Sequence, residues 1–218
     1  MLPALARAGQ LDTLIVACAP QVHPVTMSKL IRVESSGNLY AVSDDGPANL
    51  PWSERKRMLR SFNPATKDEA VRIADHLRDA GHLFGLGPSQ VSSRNLKPFG
   101  VTVEDALDLC TNLRIGSQIL TAFYLKALKQ YPDPNQAVLA AISAYNTGNY
   151  VDGFYNGYVR KVVMAGQSMV PALSNGYDSQ LPQTLSFEPA STQLQANVHV
   201  RPPMLLSRKL AILEVTPE

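Results

Sequence analysis

The sequence predicts a mainly α-helical globular domain with a minor β-hairpin and a mobile C-terminal tail. Three observations carry this. Apolar residues recur at helical spacing through most of residues 11–165. The stretch from Tyr40 to Asn63 breaks that period with Pro, Gly and charges, which suits a small hairpin or long loop. From Pro171 onward Ser, Gln, Asn and Pro replace sustained periodicity. Residues 1–169 therefore read as one domain, and 170–218 as a flexible segment.

The elements follow in order. Leu14 to Pro20, downstream of Arg7 and Asp12, reads equally as a poor export signal or a first core helix. Pro24 suits a helix N1 position, and Met27, Leu30, Ile31 and Glu34 follow at i, i+3, i+4 and i+7. Ser35-Ser36-Gly37 ends that helix. Thr66-Lys67-Asp68-Glu69 has capping-box form, and the stripe Ala70, Ile73, Ala74, Leu77 runs toward a stop at Gly81. A long core helix lies between Asn112 and Gln130. Another runs from Pro134 to Gly148, with Val138, Ala141, Ile142 and Tyr145 on one face. The last covers about Tyr155 to Met164.

Composition narrows the function classes. The 218 residues are 45% hydrophobic and 17% charged, enough for one sizeable core. A net charge of +2 gives no electrostatic case for nucleic acid as a partner. No run approaches the roughly 18–20 apolar residues of a transmembrane segment. Cys18 and Cys110 form no C-x-x-C pair, so zinc through paired thiolates is not expected. In a cytosolic protein they would be buried apolar side chains, and in an exported one they would pair. The histidines are scattered without metal-ligand spacing, His76 and His82 reading as surface or capping residues near a helix end. No metal site and no cofactor are expected. H-E-x-x-H, Walker, G-x-S-x-G and G-x-G-x-x-G motifs are absent.

One carboxylate stands out. Glu34 shares the inward stripe of the Pro24 helix and sits at its C-terminal end. The helix dipole opposes an anion there, and partial burial acts the same way. A carboxyl kept protonated near neutral pH is what a general acid requires. On pattern alone, a solvated glutamate on a frayed turn is the commoner reading.

Glu34 lies in Ile31-Arg32-Val33-Glu34-Ser35-Ser36-Gly37-Asn38, which resembles the catalytic E-S-x-x-N segment of lytic transglycosylases of the lysozyme superfamily. Phe84-Gly85-Leu86-Gly87-Pro88-Ser89-Gln90-Val91 is similar to their G-L-M-Q-I segment. Ala140-Ala141-Ile142-Ser143-Ala144-Tyr145-Asn146-Thr147-Gly148 resembles A-A-Y-N-x-G, and Tyr158-Val159-Arg160-Lys161-Val162 resembles Y-V-x-K-V. The four occur in order over about residues 12–165. Cys18-Ala19-Pro20 and Leu109-Cys110-Thr111-Asn112-Leu113 resemble the branch that serves type IV secretion and conjugation systems. The departures are Pro88, the offset of Gln90, and Leu39 where a proline is frequent.

The resemblance implies an α+β lysozyme-like fold, a Cys18–Cys110 disulfide and a place in the periplasm or cell envelope. It implies peptidoglycan glycan strands as substrate and secretion subunits as partners. Glu34 would cleave the β-1,4 bond after N-acetylmuramic acid, giving a 1,6-anhydro product and opening the wall locally for the apparatus. Among substrate-binding candidates, Ser43 matches a serine that bonds near the acetamido group, or is an ordinary turn serine. Gln90 would bond sugar or fix its loop. The Tyr145 hydroxyl would lie beside the carboxyl, Asn146 would touch substrate or cap its turn, and Tyr158 would wall the cleft. Trp52 would stack on sugar or anchor a loop. Asp44 and Asp45 read as a solvated turn beside Gly46-Pro47. Two alternatives remain: a hydrolytic goose-type muramidase using Asp44 or Asp45, and a non-catalytic scaffold that binds glycan.

Overall fold

A computed structural model describes residues 11, 13–166, 170, 171 and 173. The expected tail over 170–218 otherwise lies outside the described residues. Residues 13–18 are helical and lead into α1 (Pro24–Ser35). Pro24 occupies the first turn of α1, where its missing N–H costs nothing, and His23 Nδ1 accepts the Val25 N–H. Met27, Leu30 and Ile31 are buried on the predicted stripe. The helix stops where Ser36 turns left-handed, at φ 54°, with its N–H on the Arg32 carbonyl. Asn38 then holds the exit, accepting the Tyr40 N–H at 2.9 Å and donating to Asn63 Oδ1 at 3.3 Å.

The non-helical stretch forms an antiparallel strand pair, and two later strands extend it into a sheet. Strands β1 (Val42–Pro47), β2 (Arg60–Phe62), β3 (His82–Leu86) and β4 (Val91–Ser92) form one antiparallel sheet in the order β2-β1-β3-β4. A short helix, α2 (Trp52–Arg55), lies between β1 and β2. Helix α3 (Lys67–Asp79) covers one sheet face, and Val42, Phe84 and Leu86 pack there against Ala70, Ala74 and Leu77. The capping box predicted at Thr66 is offset. Thr66 Oγ1 accepts the Glu69 N–H, but the Glu69 carboxylate accepts from Ala65 rather than from Thr66.

Strand alternation decides what faces away from α3. Val42 and Asp44 are buried while Ser43 and Asp45 are partly exposed. Ser43 lies opposite Ser61 on β2 and Gly85 on β3, and Gly85 lies opposite Ser92 on β4. A row of small residues, three of them hydroxylated, therefore crosses all four strands on the face away from α3.

The second core is helical. Short α4 (Val103–Ala106) leads into α5 (Leu109–Ala127), followed by α6 (Pro134–Thr147), α7 (Asp152–Tyr155) and α8 (Tyr158–Met164). Leu30, Ile31, Leu113, Leu120, Ile142 and Val162 are all but inaccessible in this core. Truncating any of the larger ones to Ala would cost about 2–5 kcal/mol. Leu173 is also buried in it, and Thr26 Oγ1 donates to the Pro171 carbonyl at 3.2 Å. A disulfide joins Cys18, just before α1, to Cys110 in the first turn of α5. Among the described residues, no helix is long and apolar enough to cross a membrane.

Candidate active site

The last turn of α1 brings Glu34, half-buried, to a cleft between the helical core and the sheet. Its Oε1 accepts a hydrogen bond from the Tyr158 hydroxyl. Tyr158 opens α8 and is itself buried, with its backbone N–H on Asn156 Oδ1 at 2.8 Å. Residues 124 positions apart thus meet because α8 packs on α1. Lys29 reinforces that packing from the same helix as Glu34. Its buried ammonium donates to the Val163 carbonyl at 2.6 Å and the Gly166 carbonyl at 3.4 Å, at the end of α8. Burial lowers the pKa of that amine.

Tyr145 comes from α6 and lines the same cleft. Its hydroxyl donates to the Ser89 carbonyl at 2.7 Å rather than to Glu34. Burial pushes its phenol well above the usual tyrosine value, and the nearby Glu34 charge adds to that. The group is therefore a fixed, protonated donor at ordinary pH. The Ser89 N–H donates to Asn112 Oδ1 at 2.9 Å, and Asn112 Nδ2 donates to the Leu86 and Ala106 carbonyls, both at 2.8 Å. One buried asparagine on α5 thereby satisfies three backbone groups and fixes the turn that follows β3. Gly116 makes the close approach possible, since a Cβ there would meet the Ser89 side chain at 2.6 Å and the Tyr145 hydroxyl at 3.1 Å.

The sheet supplies the facing wall, through the row Ser61, Ser43, Gly85 and Ser92. Ser43 Oγ accepts the Gly85 N–H at 3.1 Å and donates to Asp45 Oδ1 at 3.4 Å. A Cβ on Gly85 would strike Ser43 Oγ at 2.7 Å and Gln90 Oε1 at 2.9 Å, so only glycine fits between them. Gln90 has a left-handed backbone, φ 47°, and its Nε2 donates to the Gly87 and Ala41 carbonyls. It fixes the loop while its side chain lines the cleft. Asn146 lines the cleft as well, and Oδ1 accepts from Asn156 Nδ2 at 3.1 Å. The turn at the end of α6 is closed by Gly148, at φ 80°, rather than by Asn146.

Several expectations are changed or decided by the structure. Asp44 is not a solvated turn residue: it is 1% exposed, pointing to the α3 side of β1 by strand alternation. Its Oδ1 accepts the Gly46 N–H at 2.8 Å and lies 2.7 Å from His82 Nδ1, and Arg60 Nε is 3.6 Å from Oδ2. His82 is accordingly a β3 residue paired with a buried carboxylate, not a surface or capping residue at a helix end. Asp45, one residue on, lines the cleft. Trp52 does not line it. The Arg55 guanidinium sits 5.6 Å from the Trp52 ring centre and Arg55 lines the cleft instead, donating to the Leu50 and Asp45 carbonyls.

Sequence reasoning had missed Ser61, Ser92, Arg55, Arg94 and Asn112. Val42-Ser43-Asp44-Asp45 shows no apolar alternation, and only the strand register reveals that Ser43 shares its face with Ser61 and Ser92. Among the described residues, no group of three or more His, Cys, Asp or Glu is placed to hold a metal.

A family model described as the transglycosylase SLT domain matches residues 14–162. The protein named virB1 of Rhizobium radiobacter is 34% identical over 166 residues, covering 76% of this chain and 64% of that protein. A type IV secretion system protein virB1 of Brucella abortus biovar 1 is 39% identical over 152 residues, covering 67% of this chain and 59% of that protein. The same values hold for the protein of that name from Brucella suis biovar 1. The chain thus spans about three fifths of the length of these curated relatives. No solved structure shows a significant match.

Proposed function

The chain belongs to the transglycosylase SLT domain family, and from that premise we propose that it is a lytic transglycosylase of peptidoglycan with Glu34 as its single catalytic carboxyl. The observation that carries this is the placement of Glu34: the end of α1, half-buried, held by the Tyr158 hydroxyl, and open to a polar cleft.

Glu34 protonates the glycosidic oxygen between N-acetylmuramic acid and N-acetylglucosamine. The substrate's own acetamido oxygen supports the developing positive charge, in place of a second protein carboxylate. Glu34, now ionised, takes the proton from the C6 hydroxyl as that oxygen closes on C1. The product is 1,6-anhydro-N-acetylmuramic acid, and no water is consumed. Tyr158 fixes which oxygen of Glu34 faces the bond. Ser43 and Gln90 offer polar atoms to the acetamido side, and Tyr145 and Asn146 contact sugar from the helical wall.

The name of the Brucella relative, a type IV secretion system protein, supports a place beside such an apparatus, with its subunits as partners, and the transglycosylase reading makes the role there a local opening of the wall. The disulfide supports the periplasm or cell envelope as the site of action. Residues 1–169 form the catalytic domain in this reading, with 170–218 as a separate segment whose first residues dock on α1 and the helical core.

One observation favours a hydrolytic alternative: Asp45 shares the cleft with Glu34 and could hold a water. Two variants separate the readings. Glu34→Gln folds but releases muropeptides at least about a hundredfold more slowly, whereas Asp45→Asn stays within roughly tenfold. Near-normal release by Glu34→Gln removes the assignment. Abolition by Asp45→Asn, with Glu34 also required, assigns a muramidase.

A further inference from the structure

We propose that Lys29 is a positioning residue for the catalytic acid: by gripping the far end of α8 it sets where Tyr158 stands, and through Tyr158 how Glu34 is aimed at the glycosidic bond. The inference rests on the transglycosylase reading of the cleft.

Lys29 and Glu34 each reach α8, at matching intervals. They are five positions apart on α1, and Tyr158 and Val163 are five positions apart on α8. Each interval is about 7.5 Å of helix. Glu34 meets the Tyr158 hydroxyl at the start of α8, and Lys29 Nζ donates to the Val163 carbonyl in its last turn at 2.6 Å. The order is reversed between the helices, so α8 runs back along α1 and is held at both ends. A single contact would leave α8 able to swing about it. A second, at the same spacing on both helices, fixes its position along α1.

Helix α8 needs such a hold. Its seven residues are too few for a helix to persist on its own hydrogen bonds. Its N-cap, Gly157, has no side chain to cap with, and at its C-cap Ala165 leaves the helical region, at φ −74° and ψ 54°. The last carbonyls therefore take donors from outside the helix. Lys29 supplies them, bonding Val163 and, at 3.4 Å, the Gly166 carbonyl just beyond. A cation is also the charge that the C-terminal end of a helix dipole favours. Val159 and Val162 are buried in the helical core and press α8 onto it, but apolar burial is non-directional. Lys29 is 3% exposed, and burying an ammonium costs more than burying a methionine of similar length in the same space. What the ammonium adds is direction.

The experiment uses the full chain and measures kcat and KM on purified glycan strands for Lys29→Met, Tyr158→Phe and the double variant, each below its melting temperature. Methionine keeps the unbranched chain and removes the donors. Lys29→Met lowers kcat about tenfold with little change in KM. In the Tyr158→Phe background the same substitution changes kcat by no more than roughly twofold, because the hydroxyl it positions is gone. A residue that only stabilised the fold would lower the melting temperature in both backgrounds and leave the kcat of the folded protein alone. Unchanged kcat in Lys29→Met, equal losses in the two backgrounds, a loss confined to KM, or a normal kcat in Tyr158→Phe overturns the inference. Should Lys29→Met fail to fold, Lys29→Gln takes its place. Its amide keeps a donor but is one bond too short to reach both carbonyls, and the same four outcomes decide. Glu34→Gln, run alongside, keeps the two readings apart. If it releases muropeptides at a near-normal rate, the transglycosylase reading falls and the inference with it. If it is inactive, the Lys29 variants judge the inference alone.

Discussion

Tyr158 and Tyr145 stand close to one carboxylate and treat it differently. Tyr158 donates to Glu34 directly, while the Tyr145 hydroxyl is spent on the Ser89 carbonyl. A hydrogen bond to a charged group is worth about 1.5–3 kcal/mol, so Tyr158→Phe should lower kcat roughly ten- to a hundredfold. KM should change little, because the hydroxyl orients the acid rather than holding sugar. Steady-state kinetics on purified glycan strands check this, and a loss confined to KM would assign Tyr158 to binding instead. Helical spacing made Glu34 legible, since its stripe is a property of one element. The partner of Glu34 was not, because Tyr158 lies on α8 and reaches it only through the packing of that helix on α1. The family resemblance pointed to Tyr145 beside the carboxyl, and the structure brings it near while giving its proton a different acceptor.

At the scale of elements, the first turn of α5 carries much of the site's order. Asp108 caps it by accepting the Thr111 N–H at 2.9 Å, and Cys110 and Asn112 follow in the same turn. The backbone hydrogen bond from Thr111 holds the Asp108 carboxyl below its usual range, against a smaller opposing effect of burial. A depressed carboxyl stabilises the fold above its unfolded value and loses that contribution as pH falls through the folded one. Asp108→Ala should therefore cost about 1 kcal/mol near neutrality, and the two melting curves should converge below about pH 4. A gap that persists at low pH would show that the cap acts through packing instead of charge. The strands illustrate what element-level patterns omit. β1, Val-Ser-Asp-Asp-Gly-Pro, alternates in burial but not in hydropathy, and Gly85, Gly87 and Pro88 punctuate the chain around β3 and β4. Those short runs become strands because β1 offers β3 an edge to pair with, and β3 offers one to β4 in turn, which no local pattern records.

Across the whole molecule, two cores meet at the cleft, and the Cys18–Cys110 bond ties the approach to α1 onto α5. Counting cysteines left that pairing open, and the resemblance alone favoured it. Because the bridge closes a loop of 92 residues, reducing it or changing both cysteines to serine should cost about 2–4 kcal/mol. Protein isolated under oxidising conditions should show no free thiol after denaturation. Two titratable thiols would contradict both the bridge and an oxidising compartment.

The central claim, one carboxyl acting as acid and then as base, is tested most directly by the mass of what is released. Purified protein is incubated with peptidoglycan, and the muropeptides are analysed without reduction. The account predicts ends of 1,6-anhydro-N-acetylmuramic acid, lighter by one water than hydrolytic products. A digest dominated by reducing-end muramic acid would contradict it.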